Sequence, residues 1–143
     1  MDIYYQQLIN YQHKIKELEK IRLDAYNAEQ LGTFYIEMLK AKKAIVFVAK
    51  ANKEIVGASY VSDSLYSLYI EQLFVKSCYQ NQKIGTNLLY YILKNKQLAE
   101  NYFQHPLNIS RLAPASLISE RLYRRMGYED TTYAITGTLL KRL

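Results

Sequence analysis

The stretch from Leu68 to Lys94 constrains this chain more than any other. It reads LYIEQLFV, then KSCYQNQK, then IGTNLLYYILK. The first eight residues are mostly aliphatic and aromatic, which suits a pleated, half-buried strand. Leu88, Leu89, Ile92 and Leu93 then recur at helical spacing, so Gly85 and Thr86 open a helix. A polar loop that leaves a strand and enters a helix presents unpaired backbone N–H groups, and the helix dipole favours negative charge there. Gly85 lets a ligand come close to the backbone, while Lys83 and Thr86 add a charge and a hydroxyl. Two readings follow: a phosphate or pyrophosphate cradle, or a strand-to-helix turn that merely needs a glycine. The nucleotide fingerprints GxGxxG and GxxxxGK[ST] are both absent and do not choose between them.

The remaining pattern frames this unit. DIYYQQLI reads as a first strand, Lys14 to Tyr26 as a helix, and Glu29 to Lys40 as a second helix interrupted near Gly32. The period then changes: Ala44 to Lys50 is a buried strand, and Glu54 to Asp63 is the returning arm of a hairpin. Ser64 to Ser67 turns the chain into Leu68–Val75. After one helix through TNLLYYILKNKQLAENYF, a strand is expected over Pro106 to Leu112, with proline at its start. Ser116 to Met126 is a helix closed by Gly127, and the ending YEDTTYAITGTLLKRL holds one or two strands. No linker, repeat or charge block divides the chain, so residues 1–143 are read as one domain. Its class is α/β (α+β), a sheet covered by helices.

Composition narrows the partners. With 50% hydrophobic and 22% charged residues the chain has the mixture of a globular domain, and 143 residues suffice for a real core. Cys78 is the single cysteine, which excludes an internal disulfide framework, and no Cys/His cluster has metal-ligand spacing, so no metal is expected. The longest wholly apolar run, Ala44 to Ala49, is far below the ~20 residues that cross a bilayer. MDIYYQQLIN lacks the basic and apolar segments of a signal peptide. The expectation is a soluble, cytoplasmic protein without membrane partners. A net charge of +6 favours an anionic partner. Lys and Arg are spread along the chain rather than clustered with aromatics, which argues against nucleic acid.

The Leu68–Lys94 unit resembles motif A of the GNAT N-acetyltransferase superfamily, a Gln/Arg-x-x-Gly-x-Gly/Ala loop after a strand ending in Leu-x-Val. Leu73, Phe74 and Val75 close the strand, Gln80 fills the Gln/Arg position and Gly85 the last glycine position. Lys83 stands where the first glycine usually is. That departure leaves the site intact on the condition that residue 83 keeps φ below zero. Downstream, SLISERLYRRMGY resembles the family's Asn-x-x-Ala-x-x-hydrophobic-Tyr-x-x-x-Gly-Phe element. Ser116 takes the Asn position, Ser119 the Ala, Tyr123 the Tyr, Gly127 the Gly and Tyr128 the Phe. The hairpin from residue 48 to 61 and the chain's ending also resemble the family, so the likeness covers about residues 44–143 and is poor before them.

The resemblance implies a GNAT-like fold: a mixed central sheet flanked by helices, with two parallel strands splayed to admit CoA. It implies acetyl-CoA as donor, its pyrophosphate held by Gln80, Asn81, Gln82, Lys83, Gly85 and Thr86. Its pantetheine arm would pair with the strand end Leu73, Phe74 and Val75, with Ser116 and Ser119 as further contacts. The implied reaction is direct attack of a primary amine on the thioester, without an acetyl-enzyme. The alternative is a non-catalytic CoA-binding or basic interaction module. Peptide α-amines, lysine side chains, amino acids and small amines all stay open as acceptors, and a homodimer is a further expectation of the family.

Acetyl transfer needs a neutral amine, a stabilised oxyanion and a proton for the departing thiolate. Tyr123 fits the last role, against the reading of a core tyrosine whose hydroxyl is satisfied by backbone. Glu71 is a carboxylate in an otherwise apolar strand, expected on one face with Tyr69, Leu73 and Val75, and a charge there needs a partner or a wet cleft. It is the candidate base, with Tyr69 or a water path as rivals. The N–H of Phe74 or Val75 is the oxyanion donor by resemblance. His13 and His105 read as surface or loop histidines, and Cys78 as a bystander thiol.

Overall fold

The computed structural model describes residues 2–130 and 137–143. In chain order it contains β1 (Ile3–Gln7), α1 (Ile15–Ala25, after a 3-10 turn), α2 (Phe34–Lys40), β2 (Ile45–Ala51), β3 (Glu54–Ser62) and β4 (Leu68–Val75). There follow α3 (Ile84–Lys94), α4 (Lys96–Phe103), β5 (Ile109–Leu112), α5 (Leu117–Arg125), β6 (Glu129–Asp130) and β7 (Leu139–Arg142). The strands form one mixed sheet in the order β1-β2-β3-β4-β5-β7-β6. Only β4 and β5 run parallel; the other described pairs are antiparallel.

Both faces of the sheet are covered, which is why β2 is buried along almost its whole length. Ile45 and Phe47 pack under α3 with Leu88, Leu89 and Ile92. Val46 and Val48 point the other way, into a second cluster with Leu18 and Ile21 of α1 and Leu39 of α2. Tyr60 and Phe74 meet edge to face in that second cluster, ring centroids 5.5 Å apart.

Three elements differ from the sequence pattern. The second helix begins at Phe34 rather than Glu29, because Gly32 and Thr33 hold the chain outside the helix. The long helix breaks at Asn95, whose side-chain amide donates to the Tyr91 carbonyl (2.8 Å) and so competes with the backbone ladder. The strand expected from Pro106 is confined to Ile109–Leu112. At the C-terminus, β7 inserts between β5 and β6, and the rest of the expected final strand region, residues 131–136, lies outside the described residues.

What positions the site is a fork. β4 pairs with β5 only through Leu68↔Ser110, Tyr69↔Arg111 and Ile70↔Leu112, yet β4 continues to Val75. Below the fork the two strands are pinned: Ser110 Oγ donates to the Leu68 carbonyl (2.9 Å) and shares a hydrogen bond with the Tyr128 hydroxyl (2.7 Å). A β-bulge sits at the same level, since Val61 pairs with Ile70 and Tyr60 with Gln72, leaving Glu71 extra. Ile70 and Leu73, three residues apart, therefore both pack under α3. This corrects the expected alternation: the bulge reverses the faces, so Glu71 does not share one with Leu73 and Val75.

Candidate active site

Above the fork lies a cleft of about 480 Å³. Leu73, Phe74 and Val75 form its strand side, and Asn81, Lys83, Gly85 and Thr86 its loop-and-helix side. Tyr79, Gln80 and Ile84 add to that side, and Ala25 and Tyr26 from the end of α1, with Leu122 and Tyr123 from α5, complete the cleft. The strand edge facing the cleft offers unpaired backbone. Lys76 N–H donates to the Val56 carbonyl on β3 (2.8 Å), and in an antiparallel ladder alternate residues make such bonds. Phe74 N–H is thus directed at β3, whereas the N–H groups of Leu73 and Val75 point to the open edge. Of Phe74 and Val75, it is Val75 whose N–H lies on the open edge.

The loop is shaped by left-handed backbone. Asn81 has φ 64° and Lys83 φ 63°. The condition set on residue 83 is therefore not met: Lys83, the N-cap of α3, adopts the conformation a glycine would supply, at a cost of about 1–2 kcal/mol for an L-residue. Lys83 therefore carries backbone strain at the entry to α3. Side chains anchor the loop from behind. Gln80 Nε2 donates to the Val75 carbonyl (2.9 Å) and the Ala25 carbonyl (3.3 Å). The Asp24 carboxylate accepts from Ser77 N–H (2.8 Å) and its hydroxyl (3.1 Å). Gly85 is not demanded by the fold: a Cβ there would meet only Val75 Cγ2, at an ordinary 3.6 Å. The missing methyl instead leaves the first turn of α3 open to a ligand, where the N–H groups and dipole attract an anion.

Tyr123 is half-buried on α5, its ring edge-on to Tyr128 with centroids 6.1 Å apart. Burial, reinforced by nearby Tyr26, raises its phenol pKa. Among the described residues its hydroxyl has no hydrogen-bond partner, unlike that of Tyr128. The helix stops where Gly127 takes φ 96°, and Tyr128 N–H returns to the Tyr123 carbonyl (3.0 Å).

The other expected site residues fall outside the cleft lining. Glu71 accepts hydrogen bonds from Ser62 Oγ (2.6 Å) and Ser64 Oγ (3.2 Å) on the face that carries α1. Gln82 is exposed. Ser116 and Ser119 form a capping box at the start of α5, each hydroxyl bonding the other residue's backbone N–H (3.1 and 3.0 Å). His105 does have a partner, Asp63 at 2.8 Å, away from the cleft; His13 and Cys78 are exposed. Sequence reasoning missed Asp24, Ala25 and Tyr26. Their only signal was a short polar break after a helical period, which does not reveal that the break returns to the β4 loop.

Among the described residues no group of His, Cys, Asp and Glu is arranged to hold a metal ion, and no helix is long and apolar enough to cross a membrane. Among the described residues, one cleft brings together a glycine-opened helix N-terminus, a strand edge with outward N–H groups and a phenol without a hydrogen-bond partner.

Comparison with known proteins agrees with this geometry. A family model described as an acetyltransferase (GNAT) domain matches residues 42–130. A GNAT family acetyltransferase from Staphylococcus aureus Mu50 superposes with TM-score 0.72 at 15% identity, over 99% of each chain. An Elizabethkingia anophelis GNAT family acetyltransferase with acetyl-CoA bound gives 0.65 at 19% identity, covering 99% of this chain and 98% of the other. The ribosomal-protein-S18-alanine N-acetyltransferase of Escherichia coli gives 0.72 at 15% identity, covering 97% and 91%. A search of curated proteins finds no match.

Proposed function

The chain belongs to the GNAT acetyltransferases, and from that membership we propose that it moves the acetyl group of acetyl-CoA to a primary amine by direct attack. The observation that carries the proposal is the fork: the open edge of β4, the glycine-opened start of α3 and the Tyr123 phenol all line one cleft. The Elizabethkingia relative, solved with acetyl-CoA, and the Escherichia coli relative, named for N-acetylation, support it.

Acetyl-CoA supplies the activated thioester. Asn81, Lys83, Gly85 and Thr86, with exposed Gln82 beside them, would hold its pyrophosphate through backbone N–H groups and the Lys83 ammonium. Gln80, which also lines the cleft, holds the loop closed on the strand through its Nε2 and would add a polar contact to the bound cofactor. The N–H of Leu73 and Val75 would pair with the pantetheine arm and stabilise charge on the attacked carbonyl oxygen. Tyr123 holds its proton at neutral pH and gives it to the departing thiolate. Glu71, one residue past the fork, takes the amine proton directly or through water. On the same reading the chain works in the cytoplasm, with an amine-bearing small molecule or peptide as its second substrate and no metal.

Thermal stability with acetyl-CoA, run beside an amine-dependent thiol-release assay, tests this. Stabilisation with release supports transfer. Stabilisation without release leaves a CoA-binding module, and neither overturns both.

A further inference from the structure

Among the described residues, one buried charge on the sheet has no hydrogen-bond acceptor and no ion-pair partner. Arg111, in the middle of β5, is only 8% exposed, and its Nε and Nη1 are sealed from solvent with no hydrogen-bond acceptor. A guanidinium with two buried nitrogens and no acceptor for them is costly, and native structures rarely keep one without a use. Arg22, also buried, shows what a structural arginine looks like here: it makes two 2.8 Å bonds to the Glu19 carboxylate and a third to the Gly32 carbonyl.

The sheet register fixes where Arg111 points. Ser110 bonds Tyr128 and Leu112 packs under α3, so the residue between them faces the side of α1 and α2. Tyr69, directly opposite Arg111 on β4, faces the same way, because Leu68 and Ile70 on either side of it pack under α3. The Tyr69 phenol, its pKa raised first by burial and then by Glu71, is held back by the Arg111 charge. Glu71 lies on that face too, bonded to Ser62 rather than to Arg111. A carboxylate and an unpaired guanidinium thus share one face of the sheet, at the level where β4 and β5 part.

We propose that Arg111 binds a carboxylate of the acceptor, which is a zwitterionic amine of the amino-acid class with its amino group turned toward Glu71. The planar guanidinium matches a carboxylate, and the bound anion removes the cost of the stranded charge. This rests on the acetyl-transfer reading above and names the substrate class for it.

The test uses α-amino acids and their matching carboxamides as acceptors and as ligands, with wild type, Arg111→Met and Arg111→Lys. For at least one amino acid, wild type should favour the acid over its amide by about 100-fold in kcat/KM. In Arg111→Met that preference should vanish through a raised KM for the acid, with the KM for acetyl-CoA unmoved; Arg111→Lys should keep part of it. Free Arg111→Met should melt no lower than wild type, since a buried unpaired charge is gone, and only wild type should gain Tm from the acid. A purely structural arginine predicts the reverse, a lower Tm with discrimination intact. If Arg111→Met does not fold, the acid-over-amide preference of wild type and its reduction in Arg111→Lys decide. If acetyl-CoA binds and no amine is acetylated, the transfer reading fails by itself; Arg111 is then judged by the Tm shift, and the absence of a shift with every acid overturns the proposal.

Discussion

Ile70 and Leu112 form the last parallel pair between β4 and β5, and the chain's usable backbone begins one residue later. A sheet normally hides such groups in its ladder. Here the bulge at Glu71 and the short β5 leave the edge of β4 open, and α3 starts beside it with its own unpaired N–H groups.

Gly85 should separate fold from ligand. With Val75 Cγ2 at 3.6 Å as the only near neighbour of an added Cβ, Gly85→Ala should be neutral or stabilising by about 0.5 kcal/mol. Gly85→Val, with a bulkier group at the anion seat, should weaken acetyl-CoA binding at least about tenfold, or ~1.4 kcal/mol. Isothermal titration of folded variants checks this; unchanged affinity in Gly85→Val would remove the cradle.

Tyr123→Phe keeps the ring against Tyr128 and deletes the phenol hydroxyl. General acid assistance is worth roughly 10²–10⁴-fold, so kcat should drop by that order while acetyl-CoA affinity and Tm hold. A core role predicts lost stability with turnover intact. Steady-state kinetics with a competent amine decides, and wild-type kcat would end the acid assignment.

Ser116→Ala removes half of a capping box and should cost about 1 kcal/mol of stability. If both hydroxyls are engaged in the cap, acetyl-CoA affinity will not change. A well-folded Ser116→Ala protein with reduced affinity would instead restore the cofactor contact that the family pattern suggests.

Alkaline pH should unfold the chain early. Tyr11 donates to the Ala44 carbonyl (2.7 Å), and burial, then Tyr102, pushes its pKa from 10.0 up to about 12. Burial also raises the buried phenols of Tyr60 and Tyr128. The folded chain keeps these protons where the unfolded chain loses them, so stability falls as pH rises. The contribution is complete below the ordinary tyrosine pKa of about 10 and is lost on the way to about pH 12. Urea midpoints should be level to about pH 9 and then decline steeply; a level midpoint through pH 12 would contradict this.

The strands and the β4–α3 unit were legible because their signals are local. An aliphatic and aromatic run sets Leu68–Val75, and helical spacing sets Leu88, Leu89 and Ile92. Tyr123, Lys83 and Gly85 were legible as a motif in chain order. The φ of Lys83 was not, since a lysine carries no signature of the left-handed region. Glu71 was misplaced because a bulge is a property of two strands, and one strand's pattern does not show the extra residue. Tyr26 lines the cleft and Asp24 holds its loop through contacts between segments far apart in the chain, which spacing along one element does not encode.

The most direct measurement is a single-turnover reaction in which free CoA thiol and N-acetylated amine are quantified in the same sample, for wild type, Gly85→Val and Tyr123→Phe. Wild type should form the two products in equal amounts, with Gly85→Val recovering only at high acetyl-CoA and Tyr123→Phe slow at any concentration. Thiol release without acetylated amine, or equal rates in all three proteins, would contradict acetyl transfer in the cleft between β4 and β5.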